Sequence, residues 1–194
     1  MNGRCPGDVR AAALLLGVVL ALCLAAGCAP SPQERAGALL VAAEAGDTPA
    51  VERLLARGVA ADATDECGAT PLMKAALNGH AAVVARLLGA GARVDAADLG
   101  GYTSLLLAAS NDHAEVVELL LAYGASVHAR EDTQGYTALL WAAHRGHATT
   151  VELLLRHGAD PERRDREGRT ATDHARAGGH GALVALLEAG AGRG

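Results

Sequence analysis

The stretch TPLMKAALNGHAAVVARLLGAGARVDAAD, residues 70–98, decides the fold because its pattern returns along the chain. Thr103, Thr137 and Thr170 each open a related copy, at spacings of 33, 34 and 33 residues, and the one extra residue falls between Gly124 and Thr137. In each copy a short apolar segment precedes a longer one with apolar residues at i, i+3 and i+4, which indicates two amphipathic helices. The sequence therefore predicts a repeated pair of helices with a period near 33 residues.

Glycine and aspartate mark the boundaries of the copies. A Gly follows each second helix, where a left-handed cap favours it, at Gly58, Gly91, Gly124 and Gly158. Each later copy is preceded by Asp and Gly at the first and fourth positions of a type I turn: Asp65 and Gly68, Asp98 and Gly101, Asp132 and Gly135, Asp165 and Gly168. We expect these turns to form the tips of projecting hairpins.

The repeat resembles the ankyrin family. Thr70-Pro71-Leu72 opens the clearest copy, and the Ala pair 75–76 returns at 108–109 and 142–143. The first helices end with His at Gly79-His80, Asp112-His113, Gly146-His147 and Gly179-His180, whereas Met73, Leu106 and Leu140 replace a His usual in the family. The resemblance runs from about residue 36 to the C terminus. It implies an all-α solenoid of about five units, at residues 36–64, 65–97, 98–131, 132–164 and 165–194.

The two terminal units are expected to act as caps, because a unit at the end of a stack has one face without a neighbour. The last unit has Thr172 where the others have Leu39, Leu72, Leu105 and Leu139, and Glu188 follows Leu187. Polar residues on that face indicate that no further unit packs there.

Residues 1–27 have the pattern of an export signal. Arg4 and Arg10 precede an apolar run from residue 11 to 26 that is slightly short for a membrane span. The end of this run and the next two residues, Leu24-Ala25-Ala26-Gly27-Cys28, resemble the lipobox of bacterial lipoproteins, although Ala25 departs from the usual Leu. The resemblance implies acylation of Cys28 and a domain on the periplasmic or extracytoplasmic side, anchored to the cell membrane or the outer membrane. Ordinary cleaved secretion and an uncleaved anchor remain open.

Residues 28–35 are predicted to be the lipidated Cys and a short tether. Ser31-Pro32-Gln33-Glu34 fits a helix start with a capping box, which leaves a reach of roughly 10 Å after Cys28, although Gly37 disfavours a rigid helix. Cleavage would remove Cys5 and Cys23 and lipid would occupy Cys28. Cys67 is therefore expected to have no intramolecular disulfide, either as an inert surface thiol or as a redox-sensing one.

Composition and motifs argue against several functions. A formal net charge of −5 disfavours general nucleic-acid binding. No G-x-S-x-G, H-E-x-x-H or P-loop pattern occurs in the sequence, so we expect neither an enzyme nor a cofactor. The histidines at 80, 113, 147 and 180 lie one repeat apart, too far to share a metal ion, and the resemblance implies that they bond to backbone groups.

The resemblance implies a monomer that binds another protein through the concave face formed by first helices and turn tips. Residues at the family's variable exposed positions are the predicted contacts: Glu66, Tyr102, Asn111, Tyr136, His144, Arg145 and Arg169. For both tyrosines the alternative is turn packing. Trp141 and His174 share a helix position that serves either packing or binding. The Arg-rich segment 163–169 is either solvated or contacts an acidic partner or lipid headgroups.

A second function remains open at this stage: an accessory factor in envelope or oxidative stress defence. Such a protein would support a redox or catalase-type enzyme, or would ligate haem through His. An absorption band of the purified protein, or peroxide sensitivity of a Cys67 variant, would favour it.

Overall fold

The computed structural model describes residues 30–191, so the export signal and Cys28 lie outside the described residues. The described part of the chain is all-helical, without strands, and none of its helices is long and apolar enough to cross a bilayer. Residues 30–191 form ten helices in five consecutive pairs: α1 (Pro32–Ala45), α2 (Thr48–Ala56), α3 (Pro71–Leu77), α4 (Ala81–Gly89), α5 (Ser104–Ser110), α6 (Ala114–Ala122), α7 (Ala138–Arg145), α8 (Ala148–Arg156), α9 (Ala171–Ala177) and α10 (Gly181–Ala191). The predicted all-α repeat is confirmed.

The first helix of each pair begins where a hydroxyl accepts a backbone N–H. Thr70 Oγ1 accepts from Met73 N at 3.2 Å, and the threonines at 103, 137 and 170 do the same at 3.4, 3.3 and 3.3 Å. In α1 the predicted capping box between Ser31 and Glu34 is confirmed, and the helix continues through Gly37. A side-chain cap of this kind contributes about 1 kcal/mol. The recurring Thr therefore fixes where each unit starts.

The helices form two layers. The first helices (α1, α3, α5, α7, α9) pack on one another in sequence order, and the second helices form the other layer. The Ala pairs of α3, α5 and α7 are fully buried, which lets adjacent helices approach closely. The predicted apolar sets of α4 and α6 are also buried, so the core is continuous from one unit to the next.

The turns between units form a hydrogen-bonded ladder. In three of the four turns an Asp Oδ1 accepts two backbone N–H groups; Asp98, for example, accepts from Gly100 and Tyr102 at 2.8 and 2.9 Å. Successive turns are joined by backbone bonds, such as Leu99 N to Cys67 O at 3.0 Å. The predicted hairpins are thus tight turns. Among the described residues their strand character is limited to an isolated antiparallel bridge between Ala97 and Thr103.

One predicted turn residue is wrong. Asp132 is exposed, and the buried Glu131 takes the expected Asp position: its carboxylate accepts from Thr133, Gln134 and Tyr136 N at 2.6, 2.8 and 2.9 Å. The extra residue of the 34-residue spacing lies in this turn, where Glu131 N bonds to Tyr136 O, five residues on instead of four. Glu is one methylene longer than Asp, so its carboxylate reaches across the larger loop.

The histidine ladder has the predicted structural role in three units. Nε2 of His80 and of His113 each lies 3.0 Å from a backbone carbonyl oxygen of the preceding unit, and Nε2 of His147 lies 3.3 Å from such an oxygen. A carbonyl only accepts, so each Nε2 donates. The ring of His113 lies directly over Gly79, whose added Cβ would meet it at 2.6 Å. These bonds join each unit to the one before it.

The prediction that Cys67 has no disulfide is wrong: Cys67 is disulfide-bonded. The prediction assumed that cleavage and acylation remove every other thiol. The remaining cysteines of the sequence, Cys5, Cys23 and Cys28, lie outside the described residues.

Candidate functional site

The predicted contact residues lie along the turn tips and the C-terminal ends of the first helices. Glu66 is exposed at the turn before α3, and Asn111 is exposed at the end of α5. The Asn111 amide donates to Leu107 O at 2.9 Å and to Ser110 Oγ at 3.0 Å, so this side chain also caps its own helix. Both positions are accessible to a partner.

Tyr102 is half-buried in the turn before α5. Its ring packs beside Gly100, where an added Cβ would lie 3.2 Å from the ring. Burial, with the nearby carboxylates of Glu131 and Asp98, raises the pKa of its hydroxyl. The phenol therefore stays neutral, and Tyr102 combines turn packing with a partly exposed edge.

Tyr136 has the packing role that the sequence left open for it, since it is only 3% exposed. It is the centre of a group that we call the ring cluster: Tyr136, Trp141, His144 and His174. Its ring centroid lies 4.9 Å from those of Trp141 and His174, both in edge-on geometry. His144 completes the group, 5.3 Å from His174. Edge-on aromatic pairs contribute about 0.5–1.5 kcal/mol each beyond burial, so Tyr136 holds the other rings in place.

Asp165 anchors the ring cluster from below. Its Oδ2 accepts from His174 Nε2 at 2.8 Å and from Arg169 Nε at 3.1 Å. Burial opposes ionisation, but bonds from the Arg169 and Glu167 N–H groups, His174 and the Arg169 side chain together lower the pKa of Asp165 to about 2. The ionised carboxylate only accepts, so Nε2 of His174 carries the proton in this bond. Arg169, predicted as a contact, is thus largely committed to Asp165 and to Glu167, 2.9 Å away.

His144 and Arg145 form the exposed edge of the site. They are the last two residues of α7, and the Arg145 guanidinium lies 5.6 Å from the Trp141 ring centroid, within cation–π range. Desolvation, followed by electrostatic repulsion from the basic groups of His174, Arg145, Arg169 and His180, lowers the pKa of His144. Trp141 Nε1 is buried and has no acceptor within the described part of the chain. The exposed surface here is aromatic and electropositive.

A family model described as ankyrin repeats in three copies matches residues 39–131 and 128–192, most of the chain. The chain belongs to the ankyrin-repeat family. Its ankyrin units suggest a module that binds other proteins, and proteins of this family are typically not enzymes. No curated protein matches the sequence.

Within the ankyrin frame, sequence reasoning missed a pairing between turn and helix. Lys74 Nζ lies 3.0 Å from Asp65 Oδ2, and His174 bonds to Asp165 in the same way, nine residues apart in both units. In the two units between them the helix position is Leu107 or Trp141, which cannot pair with a carboxylate. The signal was present as a basic residue nine positions after a turn Asp.

The ankyrin turn tip at Leu99 was also missed. This side chain is 80% exposed, the most exposed large apolar residue of those described. It lies one position after the turn Asp98, where Glu66 lies in the preceding unit. Residues 30–191 contain no group of three or more His, Cys, Asp or Glu side chains that are placed to hold a metal ion.

Proposed function

We propose that this ankyrin protein is lipid-anchored in a bacterial cell envelope and captures a partner protein through its concave face. The observation that carries the proposal is the exposed surface of that face. Leu99 projects from a turn tip, and Arg145 stacks on Trp141 at the end of a first helix. Trp and Arg side chains on a fixed scaffold are usual anchors of a protein interface, and the exposed Leu99 adds apolar contact area.

The scaffold supports binding with little ordering cost. The turns are joined by backbone bonds, Tyr136 is buried beneath Trp141, and Asp165 fixes His174. Side chains that are already held in position lose less conformational entropy when a partner binds.

The anchor is supported by the lipobox and by the position of α1. The helix begins at Pro32, four residues after Cys28 in the sequence. A tether of this length has a reach of roughly 10 Å, so the concave face would stay close to the bilayer and a partner there would be met at high effective concentration. The stress-defence alternative gains no support from His80, His113 or His147, whose Nε2 atoms are engaged with carbonyl oxygens.

The binding face is tested by photo-crosslinking in the native envelope. A photoreactive residue replaces Leu99 on the turn tip in one protein. It replaces Tyr123, a 50% exposed residue at the end of the second-layer helix α6, in a matched control. We expect a discrete crosslinked product from position 99 and none from position 123. The same product from both positions, or from 123 alone, would contradict use of the concave face.

The anchor is tested by mass spectrometry of the mature protein and by fractionation of membranes. We expect an acylated Cys28 at the new N terminus and loss of membrane association in Cys28→Ala. The same spectrum identifies the disulfide partner of Cys67, and a disulfide between Cys67 and Cys28 would also contradict anchoring. An unmodified Cys28 in a soluble mature protein would contradict anchoring.

A further inference from the structure

The basic residues at the C-terminal end of the concave face are distributed unevenly along the stack. Leu77, Ser110 and His144 are equivalent positions near the ends of α3, α5 and α7; Leu77 and His144 are exposed, whereas Ser110 is buried. Each is followed by an exposed residue: Asn78, Asn111 and Arg145. Over these three helices the row therefore changes from apolar, through neutral polar, to positive at Arg145, while α1 has Glu44 at the position equivalent to Leu77. Within residues 30–191 no carboxylate forms an ion pair with Arg145, so its donors are available to a ligand.

The surroundings of His144 give a second sign of a positive field. Desolvation is the largest effect that lowers the pKa of His144, and four basic groups from different elements add to it: His174 of α9, Arg145 of α7, Arg169 of the turn and His180 before α10. Asp165 is buried beneath the ring cluster and is engaged by Arg169 and His174, so it leaves the exposed edge positive. An anion beside Arg145 would meet attraction from several directions.

We infer that the partner presents an extended segment whose acidic side chain binds Arg145 beside Trp141, while an apolar side chain of the same segment contacts the region of Leu77. This inference rests on the proposed function, because it names the kind of partner that the concave face accepts. First helices pack about 10 Å apart and an extended chain rises about 3.3 Å per residue, so two units correspond to about six residues. The exposed apolar side chain of Leu77, two units from Arg145, favours a peptide over a lipid headgroup or phosphate.

The site contains its own reporter, because Trp141 is the sole tryptophan of the chain. The probe is an eight-residue peptide with Leu at one end and two Glu at the other, separated by Gly and Ser, in both chain directions. A counterpart has Gln in place of Glu. We expect binding of the Glu peptide to change Trp141 fluorescence. Its affinity should be at least tenfold higher than that of the Gln peptide and should fall as salt is added.

Charge reversal at matched positions assigns the effect to the site. Arg145→Glu should lower the affinity for the Glu peptide about tenfold. This is the effect expected when one attractive contact at an exposed site is replaced by a repulsive one. Arg156→Glu is the control, since Arg156 is also an exposed Arg in the last turn of its helix but belongs to α8 in the second layer. Arg156→Glu should bind like the wild type, and equal melting temperatures would show that both variants are folded.

The outcomes separate this inference from the proposed function. Equal affinity for Glu and Gln peptides, no response of Trp141 to either, or equal weakening by both reversals would overturn the inference. Fluorescence changes with anionic phosphatidylglycerol vesicles but not with the Glu peptide would assign the patch to lipid headgroups and also overturn it. In each case crosslinking from Leu99 would still report independently whether the concave face binds a protein.

Discussion

Asp112 and Thr150 form a pair whose removal should show strong energetic coupling. Asp112 is the only non-glycine residue with positive φ in the described range, at 59°, where equivalent positions hold Gly79 and Gly146. Its Oδ1 accepts from the hydroxyl of the fully buried Thr150 at 2.8 Å. The matched position in the preceding unit is Val116, which needs no acceptor. Two departures from the repeat therefore compensate each other.

The magnitudes follow from these contacts. Asp112→Gly relieves roughly 1 kcal/mol of left-handed backbone strain but removes a charge-assisted bond worth about 1.5–3 kcal/mol and leaves a buried hydroxyl without an acceptor, so it should destabilise by about 1 kcal/mol. Thr150→Val should cost less than about 1 kcal/mol, because the Asp112 side chain is 47% exposed and water can solvate it. The double variant recreates the Gly and Val of its neighbour. It should be at least as stable as the wild type.

Urea unfolding of the four proteins measures the coupling. We expect the double variant to be about 1–2 kcal/mol more stable than the sum of the single changes predicts. Gly79→Asp is the matched control for the geometry. It should destabilise the protein, because Val116 offers no hydroxyl and a Cβ at position 79 would meet the His113 ring at 2.6 Å. Additivity within about 0.4 kcal/mol would refute the compensation argument.

Three other changes test the frame by urea unfolding. Glu131→Gln should cost about 1.5–3 kcal/mol of stability because an amide N–H group then faces Thr133 N. The control Asp132→Asn should change stability by less than about 0.5 kcal/mol. Equal effects would contradict the assignment of Glu131 as the turn acceptor. The lowered pKa of Asp165 stabilises the fold above pH ~4 by about 2–3 kcal/mol at most, and this contribution is lost as the pH falls towards 2. Asp165→Asn should therefore lose that part of the acid dependence of stability, while Asp132→Asn retains it. Leu120→Ala should cost about 2–5 kcal/mol and half-buried Leu119→Ala clearly less; a loss below about 1 kcal/mol at Leu120 would show that α6 does not pack as described.

The architecture could be read from the sequence because each repeated residue has one physical task. Thr70 caps a helix, the Ala pair at 75–76 lets two helices approach, and Gly91 takes a positive φ of 87° at a helix end. When such a residue recurs every 33 residues, the same task recurs. Periodicity thus predicts the average unit well.

Most wrong predictions from the sequence concern positions where one unit departs from that average and a second residue compensates for the departure. The extra residue before Thr137 moved the turn carboxylate from position 132 to Glu131, a choice that depends on side-chain length and loop closure together. Cys67 was judged from export and cleavage alone, and its disulfide escaped that argument. Tyr136 could not be assigned because this turn residue is buried against Trp141 and His174, which belong to two different helices.

The same reasoning explains why the C-terminal end of the concave face is the best candidate for function. At Asp112 and Thr150 two departures cancel within the buried frame, so they need no external explanation. At Trp141 and Arg145 the departures from the neutral residues of the preceding unit, Leu107 and Asn111, remain on the surface. The Trp141 ring, and a guanidinium that has no carboxylate partner within residues 30–191, are not needed for stacking. Tyr136 holds the Trp141 ring in position, and Asp165 holds His174. Departures that the fold itself does not require are those that a binding partner can explain.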